Sequence, residues 1–154
     1  MSTDVVIRAE RADHPQVVAA LAALDAYLGS LYEPEANHIL SIEELLEPDV
    51  TFLAAWRGER VVATGAVRRK VGSDHGEVKR MYVEPSLRGQ RIGSRLLSAL
   101  EGALRSQGVE LARLETGAAQ LEAVRLYERC GYTRCGSFGG YPDNGLSLFL
   151  EKRL

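Results

Sequence analysis

Apolar and polar positions alternate along DVVIRAE (residues 4–10), which is the period of a half-buried strand, and the period then lengthens. Behind Asp13 and Pro15, which open a helix, Val17, Ala20, Leu21, Leu24 and Leu28 form one apolar stripe. SIEELLEP (41–48) reads as a short helix with a capping box between Ser41 and Glu44 and a stop at Pro48. VTFLAAW (50–56), RVVATGAVRRK (60–70) and HGEVKRMYV (75–83) read as three strands, separated by the turn RGE and the loop VGSD, in an antiparallel meander. Ile92, Leu96, Leu97, Leu100, Ala103 and Leu104 then recur at helical spacing up to Gly108, where a left-handed cap fits. VELARLET (109–116) is a strand, Leu121, Val124 and Tyr127 mark a helix capped at Gly131, and YTRCG and LSLFLEKRL close the chain as strands. A strand-helix-strand-helix-strand order in the second half requires a parallel crossover, so the expected class is α/β with a mixed sheet.

Composition narrows the function classes. The chain has 154 residues, 45% hydrophobic and 26% charged, which suits one globular domain over 1–154. A formal charge of -2 offers no general attraction to nucleic acid or to a membrane surface, so neither is expected as a partner. MSTDVVIRAE lacks the apolar core of a signal peptide and no apolar run reaches spanning length, so a cytoplasmic location is expected. Cys130 and Cys135 read as reduced small apolar residues, His38 and His75 have no partners at ligand spacing, and no metal is expected. Trp56 reads as packing.

One junction departs from the average. In MYVEPSLRGQRIGSRLL (81–97) a strand passes through a proline and a glycine-arginine knot into a helix, and residues 77–95 carry a local charge of +3. A helix that begins there directs unpaired N–H groups and its positive dipole end at the same spot, which suits an anion such as a phosphate group. Neither a P-loop nor a G-x-G-x-x-G pattern is present. The arginines taken alone fit a solvated helix face equally well.

EVKRMYVEPSLRGQRIGSRLLSALE together with LETGAAQLEAVRLYERCGY resembles the two core segments of the GNAT superfamily of acetyl-CoA-dependent N-acyltransferases. The resemblance covers residues 51–137. Arg88, Gly89, Gln90, Arg91, Ile92 and Gly93 fall on the family pattern Q/R-x-x-G-x-G/A, with Arg91 where glycine is usual. Gln120, Ala123, Leu126, Tyr127 and Gly131 fall on the second signature, with Gln120 in place of the usual asparagine. The resemblance implies a mainly antiparallel sheet with a splayed central parallel pair, and acetyl-CoA as cosubstrate. It places the pantetheine arm along the backbone of Met81, Tyr82 and Val83, the diphosphate on the N–H groups between Arg88 and Ser94, and Gln120 and Tyr127 beside the cofactor.

The resemblance also assigns chemistry. Glu77 is the expected base, although the ordinary glutamate pKa of about 4.3 lies some six units below that of an amine near 10.4, about 8 kcal/mol uphill for direct transfer. Glu77 could instead pair with Lys79, two residues on along the same strand face. Tyr127 is the expected acid for the departing thiolate, with a mismatch of about 2 kcal/mol, and ordinary core packing is its alternative. A backbone N–H near Val83 would meet the oxyanion. The acceptor is expected between LYEPEANHIL (31–40), with Tyr32, Glu33, Glu35 and His38, and GSFGGYPDNG (136–145). A small-molecule primary amine, cationic or zwitterionic, suits these loops. A protein N-terminal or lysine acetyltransferase, or a silent acyl-CoA-binding domain, is the alternative, and the sequence leaves monomer and homodimer open.

Overall fold

Strand β3 (Arg60–Arg68) is buried almost along its whole length, because VVATGAV offers no polar face, and it therefore lies inside a sheet covered on both sides. The computed structural model describes residues 4–32, 39–69, 72–142 and 144–154. The other strands are β1 (Val6–Ala9), β2 (Val50–Arg57), β4 (Gly76–Val83), β5 (Leu111–Gly117), β6 (Thr133–Arg134) and β7 (Ser147–Arg153), and the sheet order is β1-β2-β3-β4-β5-β7-β6. Every neighbouring pair is antiparallel except β4 and β5. The helices are α1 (Pro15–Leu31), α2 (Ile42–Leu45), α3 (Ile92–Ser106) and α4 (Leu121–Arg129). The expected mixed α/β architecture is present, with the meander and the crossover where the pattern puts them.

Two apolar cores lie on opposite faces of the sheet. Leu96, Leu97, Leu100 and Leu104 of α3 pack with Ala55, Val62, Val67 and Leu114 on one face. Val17, Ala20 and Leu21 of α1 pack with Phe52, Ala54, Trp56 and Ala66 on the other. Residues 54 and 55 thus serve different cores, as a period of two demands. Gly65 permits the close approach of α3, since a Cβ there would stand 2.7 Å from Met81 Sδ and 2.8 Å from Leu100 Cδ1. Glu101, buried on α3, accepts hydrogen bonds from Tyr132 Oη (2.9 Å) and Lys152 Nζ (3.0 Å), so this helix is tied to the turn after α4 and to β7.

One irregularity organises the centre of the sheet. Thr64 faces Tyr82 but Ala66 faces Lys79, so β4 spends one more residue than β3 over the same stretch. Arg80 takes up the excess in the left-handed region at φ 56°, and its carbonyl accepts a hydrogen bond from Thr64 Oγ1 at 3.0 Å. Beyond this bulge β4 leaves β5: their ladder contains only Gly76↔Ala112 and Glu77↔Arg113, while β5 stays paired with β7 as far as Gly117↔Ser147.

Two local readings change. His14 rather than Asp13 caps α1, its Nδ1 accepting from the Gln16 N–H at 3.1 Å, because Asp13 is engaged by Arg11. Leu121 belongs to no apolar stripe and is 61% exposed, since α4 turns Val124 and Tyr127 inward instead. Trp56 is buried in the α1-side core. Among the described residues no helix is long and apolar enough to cross a membrane.

Leu100→Ala should lower the unfolding free energy by about 2–5 kcal/mol and Leu121→Ala by less than about 0.5 kcal/mol, measured by urea denaturation. Equal losses at the two positions would contradict this burial pattern.

Candidate functional site

The gap between β4 and β5 widens into a cavity of about 690 Å³. Its walls are Met81, Tyr82 and Val83 of β4, Arg88, Gly89 and Arg91 of the following loop, and Ile92, Gly93 and Ser94 at the start of α3. Gln120, Glu122, Ala123, Leu126, Tyr127 and Arg129 of α4 and its approach complete it. Of the residues expected around a cofactor, Gln90 is the one that does not line this space.

The start of α3 is built to receive an anion. Arg91 is its N-cap and lies in the left-handed region at φ 64° without a side-chain cap, and the first helical bond runs from Arg95 N–H to Arg91 O at 3.1 Å. The N–H groups of Ile92, Gly93 and Ser94 therefore have no acceptor among the described residues. Glycine is usual at position 91 in the pattern, and the positive φ gives the physical reason; arginine holds the same backbone at a cost of about 1 kcal/mol. Gly93 keeps α3 close to α4, since a Cβ there would lie 3.0 Å from Leu126 Cδ2. Three arginines, 88, 91 and 129, line the cavity against one carboxylate, Glu122, whose Oε2 is 2.7 Å from Arg88 Nη1. That pair is exposed enough to contribute under about 1 kcal/mol, so an anionic ligand could draw Arg88 away at little cost.

Strand β4 contributes backbone. Glu84 N–H donates to Val62 O at 2.9 Å, so Tyr82 N–H points the same way and the N–H groups of Met81 and Val83 point into the gap. An extended ligand could pair with them as a missing strand would.

A second cavity, about 90 Å³, shares Leu24, Met81, Gln120 and Tyr127 with the first. Its other walls include Lys79 and Arg80 of β4, Glu115, Thr116 and Gly117 of β5, Ser147 of β7, and Tyr32. Tyr127 stands where the two meet. Burial, assisted by Glu115, pushes its phenol well above the ordinary tyrosine range. The mismatch with a thiol is therefore wider than the unperturbed values imply, and the group acts as a neutral hydrogen-bond donor. Tyr32 Oη accepts from Ala119 N–H at 2.9 Å and fills the space over Gly117, where a Cβ would collide with the ring.

Glu77 lies outside both cavities, at the paired end of β4. Its carboxylate shares the Tyr141 hydroxyl, 2.7 Å from Oε2 and 3.0 Å from Oε1, and Lys79 Nζ stands 3.6 Å away, so the Lys79 pairing is present. Lys79 also donates to Tyr141 Oη at 2.7 Å. Burial and the Glu77 charge push the Tyr141 phenol up, and the tyrosine packs on Phe138 and Phe149, so this cluster anchors the 136–145 loop. Glu33, Glu35 and His38, and Asp143 in the other loop, lie outside the described residues. Among the described residues no group of three or more His, Cys, Asp or Glu is placed to hold a metal ion.

Among the lining residues that escaped the sequence reading are Arg129 and Glu115. Arg129 follows Glu122 and Leu126 at steps of four and three, so helical periodicity from the Leu-Tyr signature would have found it. Glu115 occupies a strand whose alternation is masked by apolar neighbours, and only the β5–β7 pairing shows that its side chain, held by Ser147 Oγ at 2.5 Å, reaches the small cavity.

Comparison with known proteins agrees with this geometry. The profile of the Acetyltransferase (GNAT) family matches residues 18–132. An "IAA acetyltransferase" of Azospirillum brasilense is 42% identical over 151 residues, covering 98% of this chain and 99% of the relative. A solved chain of acyl-CoA N-acyltransferase type from Klebsiella pneumoniae is 34% identical, with a TM-score of 0.85 over 99% of both chains. The PaiA N-acetyltransferase of Thermoplasma acidophilum, solved in complex with coenzyme A, shares the fold at 19% identity, with a TM-score of 0.77 over 98% of this chain and 99% of that one.

Arg91→Gly should be more stable than Arg91→Ala by about 1 kcal/mol in chemical denaturation, because only glycine relieves the left-handed backbone. Equal stability of the two would show that the turn carries no strain.

Proposed function

Since the chain belongs to the Acetyltransferase (GNAT) family and is an N-acetyltransferase, we propose that it moves an acetyl group from acetyl-CoA to the primary amine of a small molecule, by direct attack. The observation that carries this reading is the meeting, at Tyr127, of two cavities of unlike character. The larger one suits coenzyme A: its volume lies within the usual range of ligand sites, about 300–1,000 Å³, and it combines free helix N–H groups, arginines and an unpaired strand edge. The smaller one, at about 90 Å³, suits a compact acceptor better than a peptide.

Bound in the larger cavity, acetyl-CoA supplies an activated thioester. The N–H groups of Ile92, Gly93 and Ser94, with Arg88 and Arg91, would hold its diphosphate, and those of Met81 and Val83 its extended arm. Glu115 faces the acceptor cavity, so we assign to it the removal of the proton from the attacking amine, directly or through water. Glu77 is engaged by Tyr141 and Lys79, and we assign it the holding of the 136–145 loop. The neutral Tyr127 phenol donates a hydrogen bond to the departing sulfur. Its raised pKa keeps it protonated at any working pH.

Acetyl-CoA at about a hundred times its Kd should stabilise the protein by about 2.7 kcal/mol, read as a rise in Tm. Absence of any shift would sink the cofactor assignment. Tyr127→Phe should lower kcat by about 10²-fold, evenly between about pH 6 and 10, and preserve that shift. A kcat close to the parent's would make Tyr127 a packing residue. Glu115→Gln should lose more turnover than Glu77→Gln, and its deficit should grow as the pH falls and fewer amines arrive deprotonated. The reverse order would return the base role to Glu77.

A further inference from the structure

Arg80 is charged, buried and only partly satisfied. Its side chain is 5% exposed, and it occupies a left-handed position at φ 56° that an arginine adopts at a cost. Its two terminal nitrogens both bond to Asp25 of α1, which is itself half exposed, while its Nε is buried without a partner. The bulge needs only the backbone of residue 80, since Thr64 bonds its carbonyl. A buried N–H left unmade is costly, so a small polar residue would serve the bulge better unless the guanidinium has a further role.

The small cavity lies beside this guanidinium. Arg80 lines it beside Lys79, whose side chain is 9% exposed, so the β4 wall carries two cations, whose acidic partners Asp25 and Glu77 lie off the cavity wall. The β5 wall opposite carries Glu115 and Thr116. An acceptor with an acid group at one end and an amine at the other would meet complementary charge on both walls. At about 90 Å³ the cavity is far smaller than the neighbouring one, which suits a compact acceptor.

We propose that the small cavity takes a compact zwitterionic amine, with the Arg80 guanidinium and the Lys79 ammonium on the wall that receives its carboxylate or equivalent oxo-acid while Glu115 faces its amino group. This rests on the acetyltransferase reading and names its acceptor class. The competing role for Arg80 is stabilising charge on the thioester oxygen, which would be indifferent to what else the acceptor carries.

The test measures thiol release at saturating acetyl-CoA for matched pairs, glycine against glycinamide and β-alanine against β-alaninamide, at about pH 7, where the amines are mainly protonated, with kcat/KM expressed per total acceptor. The parent protein should prefer the acids at least about tenfold, equivalent to about 1.4 kcal/mol. Lys79→Gln and Arg80→Gln should each bring the ratio towards one by raising KM for the acid, and Lys79→Gln carries this arm if Arg80→Gln does not fold. Equal kcat/KM for acid and amide in the parent would overturn the inference and leave the acetyltransferase reading standing. A preference that survives both variants, or a kcat that falls alike for acid and amide in Arg80→Gln, would also overturn it. No thiol release from any acceptor, despite a Tm shift with acetyl-CoA, would remove the small-amine reading and this inference together.

Discussion

The architecture turns on one extra residue in β4. Because Arg80 adds a step that β3 does not match, the central parallel pair is limited to two registered positions and the second half of β4 faces no strand. The larger cavity lies along this opening: the backbone of Met81 and Val83 on one side, α4 with Tyr127 on the other, and the start of α3 at its mouth. A regular ladder would have satisfied more hydrogen bonds and closed the cleft. The fold accepts unpaired backbone groups in β4 and α3, each a cost if buried, and a ligand that pairs with them recovers it.

The surroundings hold this opening in place. Thr64, fully buried in β3, fixes the bulge through the Arg80 carbonyl, and α3 lies against Gly65 and is clamped by the buried Glu101, Tyr132 and Lys152. On the far side the Glu77, Lys79 and Tyr141 cluster pins the 136–145 loop near the paired end of β4. Glu77 is taken up by Tyr141 and Lys79 outside both cavities, whereas Glu115, held by Ser147, lines the smaller one. That contrast distinguishes Glu77 from Glu115, although both are half-buried glutamates on neighbouring strands.

Much of this was legible in the sequence because it rests on short-range patterns. The capping box of Ser41 and Glu44, the stripe of α3 and the cap at Gly108 are local, and the structure reproduces them. The arginine-glycine knot is likewise a contiguous stretch, so eleven of the twelve residues expected near the cofactor line the larger cavity, with Gln90 the exception. Long-range pairing was less legible. The reach of Glu115 depends on β7, more than thirty residues away, and the engagement of Glu77 depends on Tyr141, in a loop whose sequence shows only glycine mobility and aromatics. The bulge itself has no signal in EVKRMYV beyond an arginine in a strand, because register belongs to a pair of strands and not to one.

The most direct test of this account is hydrogen exchange at the amides of Met81 and Val83, followed with and without coenzyme A. If the cofactor completes the edge opened at Arg80, both amides should slow markedly on binding, together with those of Ile92, Gly93 and Ser94. Slowing confined to the start of α3, with Met81 and Val83 unchanged under saturating cofactor, would contradict the claim that the bulge exists to expose a strand edge to the ligand.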